Sequence, residues 1–147
     1  MRKFFAFLIL IVVLIIVYVQ FFHDRLNQPQ VIIGDNVINV EVLDNPEMQS
    51  SGLSNRESLC EDCGMFFLFP DKKIRRFTMR EMNFPLDIIW LRDDNIVQID
   101  ADLLPEGANP IATYLSKDRV NNVLEVNAGY AKQHDINVGD KIIYNEN

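Results

Sequence analysis

Apolar positions along this chain follow two different patterns. From Phe4 to Phe22 they are nearly continuous, broken only by Gln20 and the Tyr18 hydroxyl. After Gln30 they come in short runs, several of them alternating with polar residues. The first run, as a helix, is about 28 Å long, close to the hydrocarbon thickness of a bilayer. No charge falls inside it, and Leu, Ile, Val and Phe all favour insertion. The β-branched residues Ile11-Val12-Val13 and Ile15-Ile16-Val17 weaken a helix in water, but an unpaired backbone is far more costly in lipid. A transmembrane helix is therefore predicted. A cleaved signal peptide has a shorter apolar region and ends at small residues. Here the run ends Val19-Gln20-Phe21-Phe22-His23, which favours a retained signal-anchor. A core helix apolar on every face would need a larger domain than this chain supplies. Arg2 and Lys3 precede the run, so the N-terminus is expected in the cytoplasm and the remainder outside. The expected organisation is an anchor at 1–22, a polar linker at 23–30 containing Pro29, and a domain at 31–147.

In the domain, Ile38, Val40 and Val42 alternate with Asn39 and Glu41, the signature of a half-buried strand. Asp44-Asn45-Pro46-Glu47 combines a cap, proline at the first helical position and an acid, and Gly52 ends the helix within about two turns. Met65-Phe66-Phe67-Leu68-Phe69, closed by Pro70, reads as a buried strand. Leu86 to Leu91 is another, and Asp93-Asp94-Asn95 turns it back into Ile96-Val97-Gln98-Ile99. Leu103 to Ile111, with Pro105, Gly107 and Pro110, reads as irregular. Val123 to Val126 is a strand, Ala128 to His134 a short helix with Asn127 as cap, and Gly139-Asp140 turns into a last strand. This pattern predicts a mainly β fold, a compact sandwich or barrel-like domain with two short helices. Strands are not spaced by long helices, which argues against a parallel α/β sheet.

The chain carries 14 basic and 21 acidic residues, a net charge of −7. Arg2 and Lys3 lie before the anchor and no acid does, so the outer part has a net charge of −9. That argues against nucleic acid as a partner. Lys72, Lys73, Arg75, Arg76 and Arg80 form the one basic cluster, either a solvated loop or a loop that contacts anions.

Cys60-Glu61-Asp62-Cys63 lacks the strand-then-helix setting of a thioredoxin-like centre, and its two acids would raise the thiol pKa values. A zinc site needs two further ligands, and only His23 and His134 are available, so no metal is expected. A local disulfide, or two inert thiols, in an oxidising compartment is the plainer reading. His134 suits the C-terminal end of the short helix better than it suits a catalytic base, because no nucleophile motif accompanies it. Asp87 interrupts an apolar run on the side of Ile89 and must be paired or hydrogen-bonded, with Arg80 as the candidate partner. Glu125 and Asn127 flank Val126 and share a face. Glu125 either bonds backbone donors or faces a ligand.

Several stretches together resemble the uncharacterised family known as domain of unknown function 192. They include Gly64-Met65-Phe66-Phe67-Leu68-Phe69-Pro70, Phe77 to Leu91 with Met79-Arg80 and Pro85-Leu86-Asp87, and Val123-Leu124-Glu125-Val126-Asn127-Ala128-Gly129-Tyr130. The resemblance covers residues 38–144. It implies a compact all-β sandwich or barrel-like fold, often exported, with no established activity; no cofactor is expected. It also places a candidate site at Met79, Arg80, Pro85, Asp87, Glu125, Asn127 and Gly129. The chain departs from the family at Glu81, where Gly or Asn is usual, and at Asp135, where Gly commonly follows the short helix. Cys60 and Cys63 are not part of the family pattern.

The function expected from these readings is a binding or interaction module, anchored through residues 4–22, for a small ligand, peptide or envelope component near the membrane surface. The alternative is an envelope enzyme with Asp87 or Glu125 as general acid or base.

Overall fold

The computed structural model describes the backbone of residues 2–26 and 28–146, and side chains within this range except at residues 2–6, 8 and 21–26. Helix α1 covers Arg2–Leu26. Its consecutively described side chains, residues 9–20, span only about 18 Å,. Among the described residues no helix is long and apolar enough to cross a membrane. The side chains expected to complete the anchor, at 4–6, 8 and 21–22, lie outside the described residues. The polar segment expected as a linker over 23–30 is helical as far as Leu26, and Gln30 already belongs to the first strand. Proline and glycine, which would stop the helix earlier, are absent until Pro29,.

The domain is mainly β. Strands β1 (Gln30–Ile33) and β2 (Asn36–Leu43) form a hairpin. Helix α2 (Pro46–Ser51) then crosses over to β3 (Cys63–Lys73), which pairs parallel with β2. Short β4 (Arg76–Phe77) is followed by the hairpin β5 (Leu86–Arg92) and β6 (Asn95–Leu103). Short β7 (Tyr114–Leu115), β8 (Val120–Asn127), helix α3 (Tyr130–Gln133) and β9 (Ile142–Asn145) complete the chain. The main sheet runs β6-β5-β8-β3-β2-β1-β9, and β4 pairs with β7 separately. Every pair in the main sheet except β2–β3 is antiparallel.

The sheet curls until its two edge strands meet at one corner. Asn95, at the start of β6, bridges Lys141 beside β9. The Ile96 amide donates to the Asp140 carbonyl, Gly139 to Ile96, and Ile142 to Asp94. These bonds satisfy edge groups that would otherwise offer a template to another chain.

Both faces of the central strands are buried. One core gathers Val31, Ile38, Phe66, Ile89, Leu124, Val126 and Tyr130; the other gathers Leu53, Met65, Phe67, Ile88, Trp90 and Val123. That is why β5, apart from Asp87, reads as a continuous apolar run from Leu86 to Leu91 and not as an alternation,. The second core is roofed by the crossover and by the segment that follows β3. Asn45 caps α2 by accepting from the Met48 amide at 3.0 Å, and Gln49 pins the helix by donating to the carbonyls of Leu43 and Leu68.

Three expectations need correcting. First, β3 does not close at Pro70 but runs through it, because the pairing with β8 shifts register between Leu68 and Lys73 and no ladder amide is needed there,. Second, Asn127 does not cap α3. The cap position is Gly129, in the left-handed region at φ 79°. Third, β1, β4 and β7 lie in segments that showed no strand pattern. The two departures from the family are also explained. Glu81 has φ 55° and Asp135 has φ 52°, both left-handed, so each sits where glycine or asparagine carries less strain,.

Candidate functional site

The site is set by which way β8 points its side chains. Val123 and Glu125 face the second core, Leu124 and Val126 the first. Glu125 lies between Met65 of β3 and Ile88 of β5. Gly64 allows the close approach here: a Cβ on it would lie 3.0 Å from the Glu125 carbonyl oxygen and 3.0 Å from Leu124 Cδ1. Glu125 is only 6 % exposed. Its carboxyl makes no hydrogen bond or ion pair among the described residues, and burial pushes it up to about 8. The only fully sealed side-chain polar atom without a partner among the described residues is Arg75 Nε, so the Glu125 oxygens retain some access to open space.

That space is a cavity of about 440 Å³. One wall is α2 and the turn after it, from Pro46 to Ser54. The base is Phe67, Phe69, Met82 and Glu125, and the far wall is Ile74 to Thr78 with Arg80. The basic cluster divides accordingly. Lys72 pairs with Asp93 and Lys73 with Asp71 at the surface. Arg75, Arg76 and Arg80 line the cavity. Arg75 is committed: it pairs with Asp71 and stacks on Phe69 at 3.9 Å from the ring centroid. Lys73 and Arg75 together hold the Asp71 carboxyl below its ordinary value.

A second cavity of about 450 Å³ lies beside Cys60, Cys63 and the crossover. Its charged residues, Glu41 and Arg56, are paired with each other at 2.7 Å and face solvent. Nothing buried there lacks a partner among the described residues.

Of the seven residues expected at a site, Arg80 and Glu125 are brought to the first cavity. Met79 is buried in the second core, and its carbonyl accepts from Met82 and Glu106. Asp87 is not paired with Arg80. It is fully buried, and its carboxylate accepts from the backbone amides of Asp102 at 2.9 Å, Gly129 at 3.0 Å and Ala131 at 3.0 Å. Pleating puts Asp87 on the face of Ile89 and Leu91, opposite to the face of Ile88 and Glu125,. The two carboxyls therefore cannot act on one substrate. Asp87 instead caps α3 from a neighbouring strand, which satisfies amides that the short helix leaves free. The Pro85 carbonyl accepts from Ala128 beside it. Asn127 donates to the carbonyls of Leu59 and Cys60, fastening the loop that Cys60 and Cys63 close as a disulfide. His134 ends α3, with Nδ1 2.9 Å from Asn36 Oδ1 and its ring stacked on Tyr130.

Sequence reasoning missed the aromatic walls, and it named Arg76 only as one member of the basic cluster. The anion-contacting reading of that cluster applies to Arg76 and Arg80, which line the cavity, and the solvated reading to Lys72 and Lys73. No group of residues suited to hold a metal ion occurs among the described residues.

A comparison with curated proteins finds no match. Solved structures are similar to this chain, two of them as follows. One is a protein from Sinorhizobium meliloti 1021 called a "putative transcription regulator", 27 % identical with a TM-score of 0.72, covering 79 % of this chain and 91 % of that one. The other is a protein of unknown function from Novosphingobium aromaticivorans DSM 12444, 29 % identical with a TM-score of 0.71, covering 78 % of this chain and 83 % of that one. The pattern of the family DUF192, described as "Uncharacterized ACR", matches residues 30–144. Because that match spans most of the chain, the protein belongs to the DUF192 family.

Proposed function

We propose that this protein is a binding module for a small ligand, held outside the cytoplasm on a single N-terminal membrane anchor. The observation that carries the binding reading is Glu125, a buried carboxyl with no partner among the described residues, at the base of a cavity of about 440 Å³. A buried polar group left unpaired costs stability, and a ligand is the simplest partner for it. The cavity's size and its mix of aromatic walls with a few polar groups suit a small molecule. The full chain in lipid nanodiscs, screened against small-molecule libraries by thermal unfolding, should be stabilised by at least one compound. At a hundredfold excess over Kd the gain is about 2.7 kcal/mol. Thr78→Trp fills the cavity from its exposed rim and should abolish the effect. Stabilisation that persists in Thr78→Trp, or none at all in the native chain, sinks the reading.

The anchor reading rests on the apolar run from Phe4 to Phe22 and on its surroundings. Every side chain from Ile9 to Val19 is at least 37 % exposed, and an apolar surface of this extent needs a lipid or protein cover. The disulfide suits an oxidising compartment,. The full chain is expected to stay with membranes through alkaline carbonate washing, and its domain to be digested by protease added outside intact cells. Recovery in the soluble fraction refutes the anchor, and protection of the domain refutes the orientation.

The enzyme alternative keeps only Glu125. A carboxyl raised to about 8 holds a proton at neutral pH, as a general acid must,. Glu125→Gln separates the two readings, because it would abolish turnover while a binding module would still take up its ligand.

A further inference from the structure

We infer, resting on the cavity reading above, that the ligand is a small organic anion, with its apolar body among Phe67, Phe69, Phe77 and Met82 and its charged head between Arg76 and Arg80. The argument is the distribution of charge. The outer part of the chain carries nine more acids than bases, yet the cavity lining holds three arginines and a single acid, Glu125. Arg75 is neutralised by Asp71. Arg76 has no ion pair among the described residues. The nearest acid to Arg80 is Glu81, at 4.0 Å and half exposed. Arg76 is therefore unpaired among the described residues and Arg80 only loosely paired, in a concave, aromatic-walled space where low-dielectric walls focus the field on an anion. Arginine also presents a planar fork that fits carboxylate or phosphate oxygens.

Glu125 makes the preference dependent on pH. The charged groups sharing the cavity with it are the guanidinium cations of Arg75, Arg76 and Arg80. Below about 8 Glu125 is neutral and can donate its proton to the ligand; above that it is anionic and repels an anion.

Three probes of one shape decide the matter: phenylpropionate, phenylpropanol and phenylpropylammonium, titrated into the full chain in nanodiscs against empty discs. Phenylpropionate should bind best. Arg76→Ala or Arg80→Ala should each weaken it by roughly fivefold, a value limited by solvent exposure, while leaving phenylpropanol unchanged. Its affinity should fall as pH rises through about 8 in the native chain and stay flat in Glu125→Gln. Equal binding of the alcohol, or preference for the ammonium, overturns the inference and leaves the cavity reading intact. Binding of none of the three also overturns it. The Thr78→Trp-sensitive screen then decides separately whether the cavity reading survives.

Discussion

Glu125→Gln should stabilise the folded protein, and the gain should depend strongly on pH. Glu125 ionises at about 4.5 in the unfolded chain and is raised to about 8 in the folded one. Between these values the folded state holds a proton that the unfolded state has released. Stability contributed by the protonated group is therefore fully present below about pH 4.5 and is lost as pH rises through the window to about 8,. Glutamine is neutral throughout and escapes this loss. The variant and the native chain should differ little at pH 4 and diverge steadily, to on the order of 4 kcal/mol at pH 8. That corresponds to a Tm difference on the order of 10 °C for a domain of this size. Thermal unfolding of both proteins across this pH range measures it. A difference that does not change with pH would mean that Glu125 has a partner in the folded state, and the cavity would lose its distinguishing feature. Such a cost is what a binding residue retained against stability should show.

How much of this was legible in the sequence depended on whether the cause was local. The cap and stop of α2 are local, and Asn45, Pro46 and Gly52 act as their chemistry dictates. The β5–β6 hairpin is local too. By contrast, β1 is four residues long with no alternation, and β4 and β7 are two residues each. Their pairing is fixed by strands far away in the chain. The cavity draws its walls from four separate segments: 46–54, 67–69, 74–82 and Glu125. Glu125 itself was conspicuous as an acid in an apolar run, but the lack of a partner is a property of the assembled fold. The arginines were visible as a cluster, yet nothing along the chain separates Lys72 and Lys73, which turn to surface acids, from Arg76 and Arg80, which line the cavity. Asp87 misled for a related reason. A buried carboxylate demands donors, and a sequence displays cationic side chains while every backbone amide looks the same.

Removing the Asp87 carboxylate should be among the most damaging single changes in the domain. In Asp87→Ala three backbone amides lose their acceptor: that of Ala131 in a buried hydrogen bond, and those of Asp102 and Gly129 in part-buried ones. At about 1–3 kcal/mol for a buried unsatisfied group, and less where water can replace the acceptor, the loss is on the order of 4 kcal/mol. Domains of this kind are held by only about 5–15 kcal/mol, so the variant should be largely unfolded or recovered poorly. Asp87→Asn is the more informative change. Its remaining oxygen can still accept from Asp102 and Gly129, but its amide group meets the Ala131 amide donor to donor. A loss of about 2 kcal/mol is expected there. Arg80→Ala should stay within about 0.5 kcal/mol of the native chain, since Arg80 is exposed and does not serve Asp87,. Urea unfolding of the full chain in nanodiscs should therefore rank Arg80→Ala with the native protein, then Asp87→Asn, then Asp87→Ala. If Arg80→Ala proved as costly as Asp87→Asn, an ion pair would be holding the carboxylate after all. A harmless Asp87→Asn would instead show that the Ala131 bond contributes nothing, and α3 would be fixed to the sheet by the Gly129 bond, the contact of His134 with Asn36 and the packing of Tyr130 and Ala131.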